Sequence, residues 1–299
     1  MVGIVAEMHG SRLTACVPVS SAPMQNVVPS RIKVAWRYEI QDGIRPMYGE
    51  NAPPSWARLP GARCRAVEHL TKLEGLKGFE FLDGLDEEFF QGLAIAAAVL
   101  EIGAGTALYR EGEPSGAVYF LREGRTKLYR SSGGQGPGKA RDQILGVAGD
   151  GAVIGLPSAL EGRPQSQGAT ALTDCVLYAV FRDDLVELMG RFPDVSLRLA
   201  RTLAARNREM EDLVGDLVFH SAPQRVARLL LNLATEEGRV TKKGVVFEPS
   251  LSRQEMAEAT GISREALSRA LSRLAREGIL DLGSKAITVL KPAELRART

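Results

Sequence analysis

Near the C-terminus, Arg264, Glu265, Ser268 and Arg269 stand at a spacing that one face of a helix can present. The chemistry they carry is that of base recognition. An arginine fork can hydrogen-bond O6 and N7 of guanine, and a glutamate can accept from N4 of cytosine. The same segment holds Leu267, Ala270, Leu271 and Leu274 at helical intervals, an apolar stripe for packing. Ser272, Arg273 and Arg276 continue the polar side. Residues near such a helix's N-terminus reach base edges, whereas later ones such as Arg273 and Arg276 meet phosphate. The plainer reading makes Glu265 and Arg269 an i,i+4 ion pair on a solvated helix.

The surrounding residues decide between these readings by placing the helix. Ser252-Arg-Gln-Glu255 has the spacing of a capping box, which fixes the start of a preceding short helix. Gly261 permits a tight turn, and Ser263 can cap the second helix. Two short helices broken at a glycine form a helix-turn-helix, whose second helix enters the major groove. Ser252 and Arg253, at the start of the first helix, join the expected DNA-contacting set. Upstream, Pro223 starts a helix over 224–234 with Val226, Leu229, Leu230 and Leu233 inward, and Gly244 to Pro249 reads as a short strand. Downstream, Ile279 to Leu290 reads as a two-stranded wing turning at Gly283-Ser284, with Lys285 placed to touch phosphate.

Charge distribution agrees. The chain of 299 residues carries a net charge of only +2, yet from His220 onward 14 Lys/Arg face 9 Asp/Glu, so this part carries +5 and the remainder −3. A basic C-terminal portion is the footprint of a nucleic-acid partner. The length fits about two domains. No long apolar run reads as a membrane span and the N-terminus lacks the form of a signal peptide, so a cytoplasmic protein is expected. Cys16, Cys64 and Cys175 are odd in number and widely spaced, which suits a reducing compartment rather than a disulfide scaffold.

Residues 1–62 hold seven of the fifteen prolines and no sustained apolar period, and read as a largely disordered extension. A true start at Met24 or Met47 is the alternative. From Ala66 to Leu100 the pattern is helical, with Asp86 as a cap and Phe89, Phe90, Leu93, Ala96 and Leu100 on one face. Between Glu101 and Phe181, short apolar runs alternate with glycine turns, the sign of a β-sandwich or roll. These runs include Ala107-Leu-Tyr, Val118 to Leu121, Thr126 to Tyr129, Gln143 to Val147, Val153-Ile-Gly-Leu and Val176 to Val180, and Ser131 to Ala140 reads as a flexible hairpin loop. A long helix follows over 194–219, in which Leu203, Met210 and Leu217 repeat every seven residues and Leu199, Leu213 and Val214 widen the stripe. Charges flank it, so a coiled-coil seam is expected, with Leu199, Leu203, Met210, Leu213 and Leu217 facing a second copy.

Roll, long helix and winged helix-turn-helix, in that order from about Phe79 to Leu290, resemble the CRP/FNR superfamily of bacterial transcription regulators. The resemblance implies an α+β fold: residues 63–192 form a cyclic-nucleotide-binding-like β-roll with flanking helices, 193–219 a dimerisation helix and 220–299 the winged helix-turn-helix. It implies that Glu265 and Arg269 read bases. Ser268 before that Arg matches the FNR-like branch and points to TTGAT-like half-sites in a palindrome, while Arg264 is usual in the CRP-like branch. The implied partners are double-stranded DNA, a second copy and RNA polymerase, with activation the expected output.

The sensing chemistry of the family does not carry over residue by residue. Cyclic-AMP binders use Gly-Glu-Leu followed about ten residues later by Arg-Ser. Here Gly155 is followed by Leu156 in place of the Glu, and Gln165 stands before Ser166 in place of the Arg, with Arg163 two positions off. These five residues mark the expected effector pocket. Three cysteines cannot supply a four-cysteine iron–sulfur cluster, and Leu177 falls about where the family's roll cysteine stands. The likeness is therefore to FixK-like members, with no cofactor or metal expected and the effector unassigned. Haem through Cys64 and His69, a redox role for Cys175, a small ligand in the roll, or cyclic-nucleotide control of the CRP-like kind with Arg163 substituting for the missing Arg remain alternatives, and His220 is expected to cap or pack beside the long helix. Two other classes fare worse. A metal-dependent roll enzyme would need histidine ligands, and none lies between Glu101 and Phe181. A regulatory subunit acting only through protein partners leaves the helix-turn-helix unused. No enzymatic activity is expected.

Overall fold

A computed structural model of the protein describes residues 63–65, 69–133 and 142–299. The expected proline-rich extension and most of the glycine-rich hairpin loop lie outside the described residues. Packing divides the chain into two compact units: up to Thr126 together with Ala148–Leu203, and Lys127–Val147 together with Ala204–Thr299.

In the first unit, β1 (Arg63–Arg65) and the helices α1 (His69–Lys77) and α2 (Glu87–Ala96) precede the roll. The roll's strands are β2 (Ala98–Ile102), β3 (Ala107–Tyr109), β4 (Ala117–Glu123), β5 (Thr126–Ser131), β6 (Asp142–Ala148), β7 (Val153–Ile154), β8 (Gly168–Ala171) and β9 (Cys175–Phe181), of which Lys127–Val147, the β5–β6 hairpin, is counted with the second unit. A short helix α3 (Leu156–Glu161) interrupts them, and α4 (Arg182–Arg191) and α5 (Pro193–Phe219) follow. The strands make one sheet in the order β1-β2-β9-β4-β7 and another in the order β3-β8-β5-β6.

The core of this unit gathers Leu76, Phe79, Phe89, Leu93, Phe120, Tyr178, Leu185, Val195 and Leu199, all nearly inaccessible to solvent. Phe79 meets Phe120 edge to face at 5.7 Å and Tyr178 at 6.3 Å, geometries that aromatic quadrupoles favour. Packing is close enough to dictate a residue type on α1. A Cβ at Gly75 would lie 1.8 Å from the Tyr178 hydroxyl, so only glycine lets the helix settle on the sheet.

The structure corrects several expectations here. Leu100 does not continue the α2 face; the helix ends at Ala96, and Leu100 pairs with Leu177 between β2 and β9. An apolar run continues unbroken through this helix-to-strand change, so periodicity alone could not mark it. Asp86 occupies the cap position of α2 but makes no side-chain capping bond. Leu156 belongs to a helix rather than to the strand ending at Ile154, because Gly155 turns the chain with φ of 82°. The short, small-residue strand β8 and the helix α4 had no separate expectation.

In the second unit the elements are the β5–β6 hairpin, the C-terminal part of α5, α6 (Ala222–Glu236), β10 (Arg239–Thr241), β11 (Gly244–Phe247), α7 (Arg253–Thr260), α8 (Arg264–Arg276), β12 (Leu280–Leu282), β13 (Ile287–Val289) and α9 (Pro292–Arg296). A sheet in the order β10-β11-β13-β12 packs against α6 and α8. Val226, Leu230, Leu233, Met256, Leu267, Leu271, Ile279, Ile287, Val289 and Leu295 close its core. The expected wing is β12–β13, with Gly283 donating to the Ala286 carbonyl at 2.9 Å across its turn.

The α5 helix runs the expected length, but its apolar stripes are assigned differently. Leu199 is 1% exposed and belongs to the roll core, with Leu203 packed against it. Met210 and Leu213 are half-buried within the single chain, while Leu217 is 38% exposed. Leu199, expected to face a second copy, is therefore taken up by the chain's own core. A second stripe, about 100° round the helix, lies open: Leu197, Ala200, Ala204, Asn207, Glu211, Val214 and Val218 are all exposed.

Candidate nucleic-acid interface

The helix-turn-helix is built by local rules acting in series. Ser252 Oγ accepts from the Glu255 N–H at 3.3 Å, and the Ser252 N–H donates to Glu255 Oε2 at 2.9 Å, closing the expected capping box of α7. Gly261 ends α7 in the left-handed region at φ of 64°. Two residues later Ser263 Oγ accepts from the Ala266 N–H at 3.2 Å and starts α8. The turn is then tied down from behind. Arg225 on α6 donates to the Thr260 carbonyl at 2.8 Å and to the His220 carbonyl at 2.6 Å. Thr260, itself buried, spends its hydroxyl on the Met256 and Ala257 carbonyls. Sequence reasoning missed Arg225, since nothing in its spacing marks a partner 35 residues away.

On α8 the two faces separate cleanly. Leu267, Leu271 and Leu274 are buried and Ala270 is half-buried. Arg264, Glu265, Ser268, Arg269, Ser272, Arg273 and Arg276 are exposed. The Glu265 carboxyl is held below the usual carboxylate range by its own backbone N–H, by the Ser263 hydroxyl and by the charges of Arg269 and Arg264. It is thus an acceptor at neutral pH, the state in which cytosine N4 can donate to it. Among the described residues no direct Glu265–Arg269 ion pair forms, so these side chains are not consumed by each other. Arg273 differs: it pairs with Glu277 at 3.0 Å, and Arg298 also meets that carboxylate. Lys285 is exposed on the wing turn.

Ser252 and Arg253 stand at the N-terminus of α7, where the helix dipole and free N–H groups favour phosphate. Arg253 is half-buried, its Nη1 makes no hydrogen bond, and burial draws its pKa below the ordinary value. His220 sits at the end of α5, its Nδ1 3.0 Å from Asp216 Oδ1, which Arg228 also reaches at 2.5 Å.

The expected effector residues are brought together only in part. Leu156 and Gln165 are buried, and the Gln165 amide lies 3.6 Å from where a Gly155 Cβ would stand. The Gln165 backbone bridges to Glu113 and Gly112 at 2.8 and 2.7 Å. Arg163 points outward with its side chain 80% exposed near Glu161, and Ser166 is exposed. Leu156 stands where the cassette has a carboxylate, and Arg163 is turned to solvent, while Arg182 donates to the Ala159 carbonyl of α3 at 2.7 Å. Cys175 is buried and burial pushes its thiol up, with hydrogen bonds to the Arg125 and Thr173 carbonyls. A protonated, buried thiol is a poor redox sensor. His69 is exposed and its Nε2 is engaged by Gln91 at 2.5 Å. Among the described residues no group of three or more His, Cys, Asp or Glu could hold a metal, and no helix is long and apolar enough to cross a membrane.

Comparison with known proteins agrees with this geometry. Residues 224–298 match the Crp-like helix-turn-helix domain, and residues 99–192 the cyclic nucleotide-binding domain. The cyclic AMP receptor protein of Thermus thermophilus is 34% identical over 192 residues, 64% of this chain and 83% of its own length. The CRP-like cAMP-activated global transcriptional regulator of Mycobacterium tuberculosis is 29% identical over 217 residues, 70% of this chain and 95% of its own. The solved structure of FixK2 from Bradyrhizobium japonicum gives a TM-score of 0.59 at 27% identity, spanning 67% of this chain and 96% of that one.

Proposed function

Because this chain belongs to the CRP/FNR superfamily of transcription regulators, we propose that it is a homodimeric, sequence-specific DNA-binding regulator that reads a palindrome through α8. The observation that carries this is the α8 face itself. Arg264, Glu265, Ser268 and Arg269 stand exposed within its first turns, while the opposite face is locked into the winged-helix core. Arg269 and Glu265 supply the fork and the acceptor for base edges, Ser268 narrows the choice toward TTGAT-like half-sites, and Ser252, Arg253, Arg273 and Lys285 meet phosphate. Two-fold symmetry puts two such helices in successive major grooves. RNA polymerase is the partner through which binding becomes activation.

The dimer seam in this reading is the open stripe of α5. Leu197, Ala204, Glu211 and Val218 repeat every seven residues, with Ala200, Asn207 and Val214 between them. Leu197, Val214 and Val218 are 54%, 59% and 66% exposed, a cost that a matching helix removes. A labelled duplex carrying a TTGAT inverted repeat tests the proposal by anisotropy. Binding should be at least tenfold tighter than to a scrambled duplex and fall steeply with salt, as phosphate contacts require. Equal affinity for both duplexes would contradict it.

The relatives named as cyclic-AMP proteins do not fix the effector of this chain. With Leu156 and Gln165 buried where a carboxylate and an arginine would engage ribose and phosphate, and Arg163 outside, the charged pair of the cyclic-AMP cassette is missing in this reading. Calorimetric titration with cyclic AMP should give no saturable heat, and the nucleotide should leave DNA affinity unchanged. A one-to-one binding isotherm would show that another group replaces the missing pair.

A further inference from the structure

Lys127, on β5, places its Nζ 2.7 Å from Glu255 Oε1, and the two side chains are only 15% and 19% exposed. Glu255 is the capping-box residue of α7, and its other oxygen holds the Ser252 N–H. The Lys127 ammonium also lies 5.6 Å from the centre of the Tyr129 ring. At the other end of α7, Gln143 on β6 reaches toward the Ala259 carbonyl at 3.5 Å, and its Oε1 would lie 3.2 Å from a Cβ at Gly261. The same strand seats the Arg206 guanidinium of α5 on Gly146, where a Cβ would be 2.8 Å from Nη1. The hairpin thus grips α7 at both ends and α5 between, and all of these residues belong to one compact unit.

A helix-turn-helix docks with its first helix across the DNA backbone, presenting N-terminal N–H groups to phosphate. That is the end of α7 that Lys127 engages, and beside it Arg253 Nη1 is buried with no partner. A buried, unsatisfied guanidinium donor is costly, and a phosphate would satisfy it. We propose that the β5–β6 hairpin is an autoinhibitory clamp: the Lys127–Glu255 pair and the Gln143 contact withhold the first helix of the DNA-reading pair from the DNA backbone, and releasing them raises DNA affinity. The clamp rests on the reading that α7 and α8 bind DNA. A half-buried pair of this kind is a suitable switch, because opening it exposes both charges to water and removes the penalty of holding them dry.

Lys127→Ala in the full chain tests it, with Glu255 left in its capping role. Loss of a positive charge would by itself weaken DNA binding, as would misfolding, so the clamp predicts the opposite sign. Binding to the TTGAT inverted-repeat duplex should tighten by about five- to thirtyfold, the size of a typical coupling between two states. Affinity equal to or weaker than that of the unaltered chain would overturn the clamp. Hydrogen exchange of the α7 amides, measured without DNA, reads the contact independently: exchange should speed up in Lys127→Ala, and unchanged rates would also overturn it. If the unaltered chain binds neither the repeat nor a scrambled duplex, it is the DNA reading that fails and the clamp with it; if the unaltered chain binds and Lys127→Ala does not tighten, the clamp alone fails.

Discussion

Arg269→Ala is expected to weaken binding to the palindrome by about two orders of magnitude. A bidentate arginine–guanine contact discriminates by about 1–3 kcal/mol, and a two-fold symmetric complex loses it twice. The loss should be selective. Affinity for a scrambled duplex, which depends on phosphate contacts, should fall only by the share of one charge per protomer. Arg269 is exposed and on the face away from the core, so thermal unfolding should be unaffected within about 0.5 kcal/mol. Fluorescence anisotropy against both duplexes, with unfolding measured on the same preparation, gives the result. An equal loss on both duplexes would make Arg269 a phosphate contact instead.

Val218→Asp is expected to convert the protein to a monomer at micromolar concentration. In a parallel pair of α5 helices, equivalent positions on the open stripe face each other, so the variant sets two carboxylates together where two isopropyl groups would have packed. Without the dimer, the two half-sites are no longer linked and palindrome binding should drop by about a hundredfold or more. Sedimentation velocity reads the first effect and anisotropy the second. Val218 is 66% exposed in the single chain, so folding of the monomer should be unimpaired. A dimer that persists in Val218→Asp would place the seam elsewhere.

The two stripes of α5 show where sequence reading falls short. Leu203, Met210 and Leu217 form a regular seven-residue repeat, and such a repeat is the mark of a coiled coil. A helix that must also pack on its own chain carries another stripe with the same period, and periodicity does not say which faces inward. Leu199, buried in the roll core, breaks the tie, and that core also draws on residues more than a hundred positions away, such as Leu76 and Phe79. The helix-turn-helix was legible for the opposite reason. Ser252 with Glu255, Gly261 and Ser263 act within four residues of themselves, so capping and turn chemistry specify the geometry locally.

Long-range pairings were out of reach in the same way. Arg225 on the Thr260 carbonyl and Lys127 on Glu255 join residues 35 and 128 positions apart, and neither leaves a pattern along the chain. The strand β8, built only of Gly, Ala and Thr, and the exposed strand β10, whose residues are Arg239, Val240 and Thr241, also lack the run of large apolar residues that marks a strand. The effector region was legible in residue type but not in geometry. Leu156 and Gln165 differ in type from the Glu and Arg of the cyclic-AMP cassette, which the sequence alone displays, whereas the outward turn of Arg163 needed the structure.

Selection of binding sites from a pool of random duplexes is the most direct measurement of the central claim, that Glu265, Ser268 and Arg269 on paired α8 helices read a palindrome. The full chain should enrich two inverted TTGAT-like half-sites about one helical turn apart, and Arg269→Ala should enrich sites that have lost preference at the guanine. Enrichment of a single unpaired half-site, or no enrichment above the starting pool, would contradict the account.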